Sequence, residues 1–385
     1  MIAFNKAHLT GKEIAYIEEA LHTQSSGNGK FTKKCQDFLS KKYGFKKTLL
    51  TTSCTDALEI SALLLDIKPG DEVIIPSYTF VSTANAFVLR GAKIVFVDSS
   101  EDHPNIDVSV LEGHITAKTK AIVVVHYGGV AVDMDELMAV ASKHNVYVVE
   151  DAAQAINSYY KEKPLGGIGH IGCFSFHDTK NIICGEGGAL VINDERFISR
   201  AEIIWEKGTN RSAFIRGEVD KYGWVDLGSS FLPSEVTAAF LFAQLEEIEK
   251  IHHARLTAWN YYFEKFSEFL PSHGVSLPNF PHFAAHNGHI FYLLCTDLEQ
   301  RNELIKMLKC AGIQAFFHYP PLHLSRFYLQ THKPKSLPNA IKFFEQVVRL
   351  PLYVDIDRSD QNYIISTVKS SLTAFPESQE SSMEI

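Results

Sequence analysis

The sequence predicts an α/β fold: a mostly parallel central sheet with helices on both faces, followed by a smaller α+β unit. Three observations predict it. Short apolar runs alternate with segments of helical spacing from Lys47 to about Lys207, and such alternation builds parallel sheets covered on both sides. GDEVIIPSYTFVSTANAFVLRGAKIVFVD (Gly70–Asp98) reads strand, turn, helix, strand, a complete βαβ unit. Beyond Ile251 the pattern changes to two separated strand-like runs, His289–Cys295 and Ile313–Phe317, around a helix over Gln300–Cys310. The division expected is a large unit over 1–250 with an N-terminal helical segment, a small unit over 251–375, and a polar, disordered tail over 376–385. No internal repeat is visible.

Taken in order, Leu9–Leu21 carries apolar residues at helical spacing, with Thr10 and Glu13 in capping-box positions. SSGNGKF (Ser25–Phe31) breaks the pattern as a turn, and a helix resumes over Phe31–Tyr43. Lys47–Thr51 reads as a strand, and TTSCTDALEISALLL (Thr51–Leu65) as a strand-to-helix turn and a buried helix. Hydroxyls and open amides at that helix start make either an anion site or a plain N-cap. Phe80, just past a strand end, is either core or a face for a flat ring. Lys120–His126, Val146–Glu150, Ile171–Phe176 and Gly187–Ile192 are strands, with a helix over Asp133–Asn145. His126 ends its strand, beside a ligand or hydrogen-bonded in the core. Arg196–Lys207 reads as a helix. Gly208–Ser230 is long, polar, aromatic and aperiodic, the kind of loop that tends to be functional. Two helical stretches fill Ser234–Phe266. HYPPLH (His318–His323) holds two histidines, but its prolines dictate an irregular loop and no further ligand set accompanies them, so no metal is expected.

Composition narrows the function. At 385 residues with 45% hydrophobic and 21% charged residues, the chain can bury a sizeable core. A net charge of -8 argues against a nucleic-acid binder and leaves room for a local basic pocket for a nucleotide diphosphate. The cysteines at 35, 54, 173, 184, 295 and 310 form no CxxC pair, so free thiols in a reducing cytoplasm are expected. Neither a signal peptide nor an 18-residue apolar run is visible, so neither export nor a membrane span is expected.

The chemistry concentrates between Val148 and Gly188. Glu150-Asp151 follows one apolar run directly, and Lys180 lies four residues past another. Ligands bind at the carboxyl ends of strands in open α/β sheets, so Asp151 and Lys180 are expected to share a crevice. A lysine that forms a Schiff base and an acid that keeps a pyridinium nitrogen protonated are what pyridoxal phosphate (PLP) requires. Asp151 alone could be a cap or turn residue. Gln154, able to reach a ring hydroxyl, and Ser175, able to donate to a phosphate, extend the pattern.

These blocks, VVEDAAQA (Val148–Ala155), FSFHDTKN (Phe174–Asn181) and GEGG (Gly185–Gly188), resemble the hallmark blocks of the DegT–DnrJ–StrS sugar-nucleotide aminotransferases, a likeness that runs from about Phe4 to Leu372. The resemblance implies the aspartate aminotransferase fold (PLP fold type I) with PLP bonded to Lys180. It implies Asp151 and Gln154 on the ring, Phe80 stacked against it, and Ser175, Ser53, Thr55 and the Asp56 backbone N–H on the phosphate. It further implies a homodimer with shared sites, in which Gly208–Ser230 approaches the partner subunit. A G-x-N asparagine would contact phosphate there; this chain has Gly228-Ser229-Ser230, which puts Ser230 in that place. The HYP segment would line the substrate cleft, and the Ser25–Phe31 loop would border it. Retention of Lys180 argues against the dehydratases of this scaffold that carry histidine instead, and the complete Asp151, Gln154, Ser175, Lys180 set argues against a non-catalytic regulator. Leu49–Asp98, Ile168–Asn181 and Trp205–Ser212 most resemble members that move an amino group from L-glutamate to C4 of dTDP-4-keto-6-deoxyglucose for surface polysaccharides. The galacto product is expected, with the gluco epimer or another nucleotide ketosugar as alternatives.

Overall fold

The computed structural model describes residues 1–374; the expected disordered tail lies outside the described residues. Seven strands form the central sheet: β1 (Lys47–Thr51), β2 (Glu72–Pro76), β3 (Lys93–Val97), β4 (Thr119–Val125), β5 (Tyr147–Asp151), β6 (Ile171–Ser175) and β7 (Gly188–Ile192). Their order across the sheet is β1-β7-β6-β5-β4-β2-β3. Neighbours from β6 to β3 pair in parallel, and β7 pairs antiparallel with both β6 and β1. Two reversals leave β1 pointing the same way as β2–β6. The carboxyl ends of β1, β2, β5 and β6 therefore open on one edge of the sheet, and that edge carries the site.

Burial on both faces explains the unbroken apolar runs, since β2, β6 and β7 are buried throughout. Alternate residues serve alternate cores. Leu50, Ile74, Ile122, Val124 and Val148 face helices Lys30–Tyr43, Met134–His144 and Glu235–Glu246. Leu49, Val73, Ile75, Val123 and Val149 face helices Cys54–Leu64, Ser82–Val88 and Ile198–Trp205. A third core gathers Tyr262, Phe266, Leu304, Leu308, Ile364 and Val368 around the antiparallel pair β8 (Phe291–Leu294) and β9 (Val347–Leu350). Helix Ile248–Ser267 runs unbroken from one region to the other: Ile251 packs in the first core and Ala258 in the third. The boundary expected near Ile251 thus lies in the first turn of a continuous helix, where no break in composition marks it.

Three expectations shift. The first helix spans Glu13–Thr23, and Thr10 is not its N-cap; the Glu13 carboxylate instead accepts the Thr10 and Gly11 amides at 2.8 and 2.9 Å. The strand expected over Ile313–Phe317 is reduced to isolated bridges, Ile2 with Ile313 and Phe316 with Arg349. Gly208–Ser230 is not structureless: it holds a short helix, Arg211–Ile215, and a Thr209–Trp224 bridge. The Asn210 side chain staples that segment by accepting the Gly223 amide at 2.8 Å, a bond with no periodic signature. The Ser25–Phe31 turn is fixed from afar, because buried Glu235 accepts the amides of Gly29, Phe31 and Thr32 at 2.9, 2.7 and 3.1 Å.

Candidate active site

Asp151 ends β5 and is 5% exposed. Thr83 donates its hydroxyl to Oδ2 at 2.7 Å, and the Ala153 amide donates to Oδ1 at 3.2 Å. Burial raises the Asp151 pKa, opposed by these bonds and by the charges of Lys180 and His126. Lys180 lies in the turn after β6, its amide donating to the His177 carbonyl at 2.9 Å. Stripping water from its ammonium lowers the pKa, with Cys54 and Asp151 opposing and Arg349 adding to the shift. Among the described residues, none hydrogen-bonds the Lys180 Nζ. Both groups line one cavity of about 560 Å³.

The turn after β1 lines one wall of that cavity. Ser53 caps helix Cys54–Leu64, its Oγ accepting the Asp56 N–H at 3.0 Å. The Cys54 and Thr55 amides have no acceptor among the described residues, and both residues line the cavity. Thr55 donates its hydroxyl to Ser82 at 2.9 Å. Ser175, at the end of β6, adds a hydroxyl on the same wall. The turn presses on Gly188, where a Cβ would lie 2.5 Å from both the Ser53 carbonyl carbon and the Cys54 nitrogen. Only glycine allows that approach. Open amides at a helix start attract anions through their N–H groups and the helix dipole.

Ser53, Thr55, Phe80, Asp151, Gln154, Ser175 and Lys180 all line the cavity. Asp56 does not: its amide is taken by the Ser53 cap and its carboxylate by the Thr52 hydroxyl, which leaves the Cys54 and Thr55 amides as the open donors. Ser230 is exposed and bridges Glu206, away from the cavity of this chain. Gln154 is locked at both ends, accepting the Gly128 amide at 2.7 Å and donating to the Tyr319 hydroxyl at 3.1 Å. Phe80 is 57% exposed at the cavity, so it is not core. His126 is core: it accepts the Val132 amide on Nδ1 and bonds Glu150 through Nε2 at 3.0 Å. Glu150 in turn accepts the amides of Gly166, Ile168 and Gly169.

The histidines of HYPPLH part company. His318 stacks on Tyr319 with centroids 3.8 Å apart, shares a hydrogen bond with Tyr127, and is kept neutral by burial. His323 is buried against the Ser77 hydroxyl at 2.6 Å. Among the described residues, no group of three or more His, Cys, Asp or Glu side chains is placed to hold a metal. Ser82, His289 and Arg349 also line the cavity and went unread in the sequence. An arginine inside the apolar run VVRLPL (Val347–Leu352) was the available signal for Arg349. Open amides and hydroxyls, an unpartnered lysine amine and a buried carboxylate fit the phosphate, aldehyde and ring nitrogen of PLP.

Comparison with known proteins agrees with that chemistry. Residues 8–369 match the model of the DegT/DnrJ/EryC1/StrS aminotransferase family. The chain is 33% identical over 367 residues to the uncharacterized protein MJ1066 of Methanocaldococcus jannaschii, covering 93% of this chain and 94% of that protein. Spr1654 of Streptococcus pneumoniae superimposes in its PMP form with a TM-score of 0.90 at 28% identity, over 97% of this chain and 99% of the other. Its PLP form superimposes at 0.88, over 97% and 98%. Helicobacter pylori PseC, an aminotransferase involved in the biosynthesis of pseudoaminic acid, matches at 25% identity and a TM-score of 0.87, over 97% and 100%. The chain therefore belongs to the DegT/DnrJ/EryC1/StrS aminotransferase family and is a PLP-dependent sugar aminotransferase of fold type I.

Proposed function

We propose that the enzyme moves an amino group from L-glutamate to C4 of dTDP-4-keto-6-deoxyglucose, giving dTDP-4-amino-4,6-dideoxygalactose for a surface polysaccharide. The observation that carries the transfer is the meeting of an unpartnered Lys180 amine and a buried Asp151 carboxylate in one cavity. The choice of sugar is supported by the likeness of Leu49–Asp98, Ile168–Asn181 and Trp205–Ser212 to enzymes of that reaction.

Bound PLP supplies a ring that carries the amino group between donor and acceptor and spreads the charge left when a proton leaves the donor's α-carbon. The protein does the rest. Lys180 would hold the cofactor through its Nζ, and the same amine, when free, would act as the base that takes the donor's α-proton and as the acid that returns a proton to the sugar carbon. Burial lowers its pKa, which eases loss of the ammonium proton. Asp151 would accept the hydrogen bond of a protonated ring nitrogen, and Thr83 and the Ala153 amide hold its carboxylate in place. The Cys54 and Thr55 amides, with the hydroxyls of Ser53 and Ser175, would hold the phosphate. Gln154 and Phe80, both on the cavity wall, would hold the ring through its hydroxyl and its face. A second copy of the chain completes the site; exposed Ile215, Trp224, Val225 and Leu227 on the Gly208–Ser230 segment form an apolar surface suited to such a contact.

The test is the absorption spectrum of the purified protein. A visible band, absent in Lys180→Ala, is expected to bleach with glutamate and return with dTDP-4-keto-6-deoxyglucose, and NMR of the product reports the C4 configuration. A band that bleaches without returning discards this sugar. No band after adding PLP discards the role of Lys180.

A further inference from the structure

His289 stands two residues before β8 on the cavity wall and is 7% exposed. Its Nδ1 lies 2.9 Å from Oδ1 of Asn181, the residue after Lys180. Which atom carries the proton follows from the partners. Nδ2 of Asn181 faces the Asn287 carbonyl at 3.0 Å, and a carbonyl only accepts. Asn181 therefore turns its own oxygen to His289, and Nδ1 must donate. Asn287 is fixed in turn, its Nδ2 donating to the Gln154 and Ile156 carbonyls at 2.9 and 2.8 Å. The His289 backbone is held as well, because buried Arg255 donates to the Gly288 and His289 carbonyls at 3.2 and 2.7 Å.

A neutral imidazole that donates through Nδ1 keeps a lone pair on Nε2. Burial pushes the His289 pKa well below 6.5, and the charges of Lys180, Arg255 and Arg349 push the same way, so the ring stays neutral. Among the described residues, none hydrogen-bonds Nε2. The cavity wall thus carries an acceptor whose proton state and direction are set by its neighbours. An acceptor needs a donor, and three cations around the ring disfavour an ammonium there. A neutral donor remains, and on a sugar that donor is a hydroxyl.

We propose that His289 Nε2 accepts the hydrogen bond of the sugar hydroxyl beside the reacting carbon, and so selects sugars that carry one. This rests on the ketosugar reading above. In a 4-keto-6-deoxypyranose, C4 has two neighbours: C5, which bears a methyl group, and C3, which bears a hydroxyl. The reacting carbon must come to Lys180, whose charge is felt at His289, so the 3-hydroxyl is the donor in nearest reach. A site built to bond a hydroxyl rejects an analogue that lacks it, because its own polar group is left unpaired.

The experiment measures kcat/KM of the full-length, PLP-loaded enzyme, with glutamate as donor, for dTDP-4-keto-6-deoxyglucose and for the same sugar without its 3-hydroxyl. Wild type is expected to prefer the hydroxylated sugar by about tenfold to a hundredfold. Two variants separate the two ends of the ring. An Asn amide stands where Nδ1 stood and a Gln amide where Nε2 stood, so His289→Asn keeps the bond to Asn181 and His289→Gln keeps the acceptor. The preference should shrink to within about threefold in His289→Asn and stay near about tenfold in His289→Gln. A wild type without preference overturns the proposal, a result that needs no variant to fold. An undiminished preference in His289→Asn overturns it too. A preference kept in His289→Asn and lost in His289→Gln also overturns it, and leaves the ring as a brace for Asn181. A wild-type band that glutamate bleaches and neither sugar restores overturns the choice of sugar, and the proposal with it, before any variant is made.

Discussion

Gly188→Ala tests how the phosphate wall is built. Gly188 opens β7 and sits in register between Thr51 of β1 and Ser175 of β6, so hydrogen bonds on both sides pin it. An added Cβ meets the Ser53–Cys54 backbone at 2.5 Å, and ordinary contact begins at 3.4 Å. Because β7 cannot yield, the turn must retreat by about 0.9 Å, a distance at which dispersion contacts are lost and misplaced binding groups matter. Overpacking of this kind costs about 1–3 kcal/mol of stability. A shift of that size in the open amides is expected to weaken PLP by about tenfold to a hundredfold. The assay is fluorescence titration of the apo-protein with PLP, beside urea unfolding. Gly113→Ala, where a Cβ meets nothing within 4 Å, is the control and should change neither. PLP binding in Gly188→Ala within about twofold of wild type would refute the reasoning, since a cradle moved this far cannot keep its geometry.

The remaining predictions concern catalysis, folding and pH. Asp151→Asn should retain PLP yet lose at least about a hundredfold in kcat, measured by coupled ketoacid release, because a neutral amide cannot hold the ring nitrogen protonated. Wild-type turnover in that variant would remove Asp151 from the mechanism. Glu235→Gln should cost about 3 kcal/mol in urea unfolding, since its carboxylate serves the Gly29, Phe31 and Thr32 amides at a helix start; a loss under about 1 kcal/mol would contradict this. Burial lowers His103 to about 3 and His286 to about 4 from 6.5. Both are neutral when folded and bind protons more readily when unfolded. Their contribution is full above pH 6.5 and is lost as pH falls towards 4, at a slope of about 1.4 kcal/mol per unit for each. His103→Gln should flatten the dependence of Tm on pH across that window; an unchanged slope would show that His103 is not the group titrating.

Some parts of this protein were legible because they are local. Apolar runs bounded by Gly, Pro and Asp mark β1 at Lys47–Thr51 residue for residue and β4 to β7 within about one residue, since burial on both faces selects the same side chains whatever the neighbours. The blocks around Asp151 and Lys180 pointed to one crevice because parallel strands present their carboxyl ends together. An apolar run carries no arrow, so the antiparallel course of β7 was not readable. Capping was read in the right places but not in every atom: Ser53 takes the Asp56 amide, and Glu13 accepts the Thr10 amide as a capping box does, while the helix begins at Glu13 without a Thr10 side-chain cap. Such choices turn on distances of tenths of an ångström.

What the sequence alone determined is the fold class, the α/β alternation and the residue types for PLP chemistry, all functions of nearest-neighbour pattern. Tertiary structure decided what stands opposite them. Thr83 reaches Asp151 from another helix, Tyr319 locks Gln154 from a loop 165 residues away, and Arg349 enters the cavity with Phe4 from the far end of the chain. No periodicity links those pairs, because they meet only after the sheet and the third core have packed, and it is the closed shape of that packing that sets which side chains share one dry space.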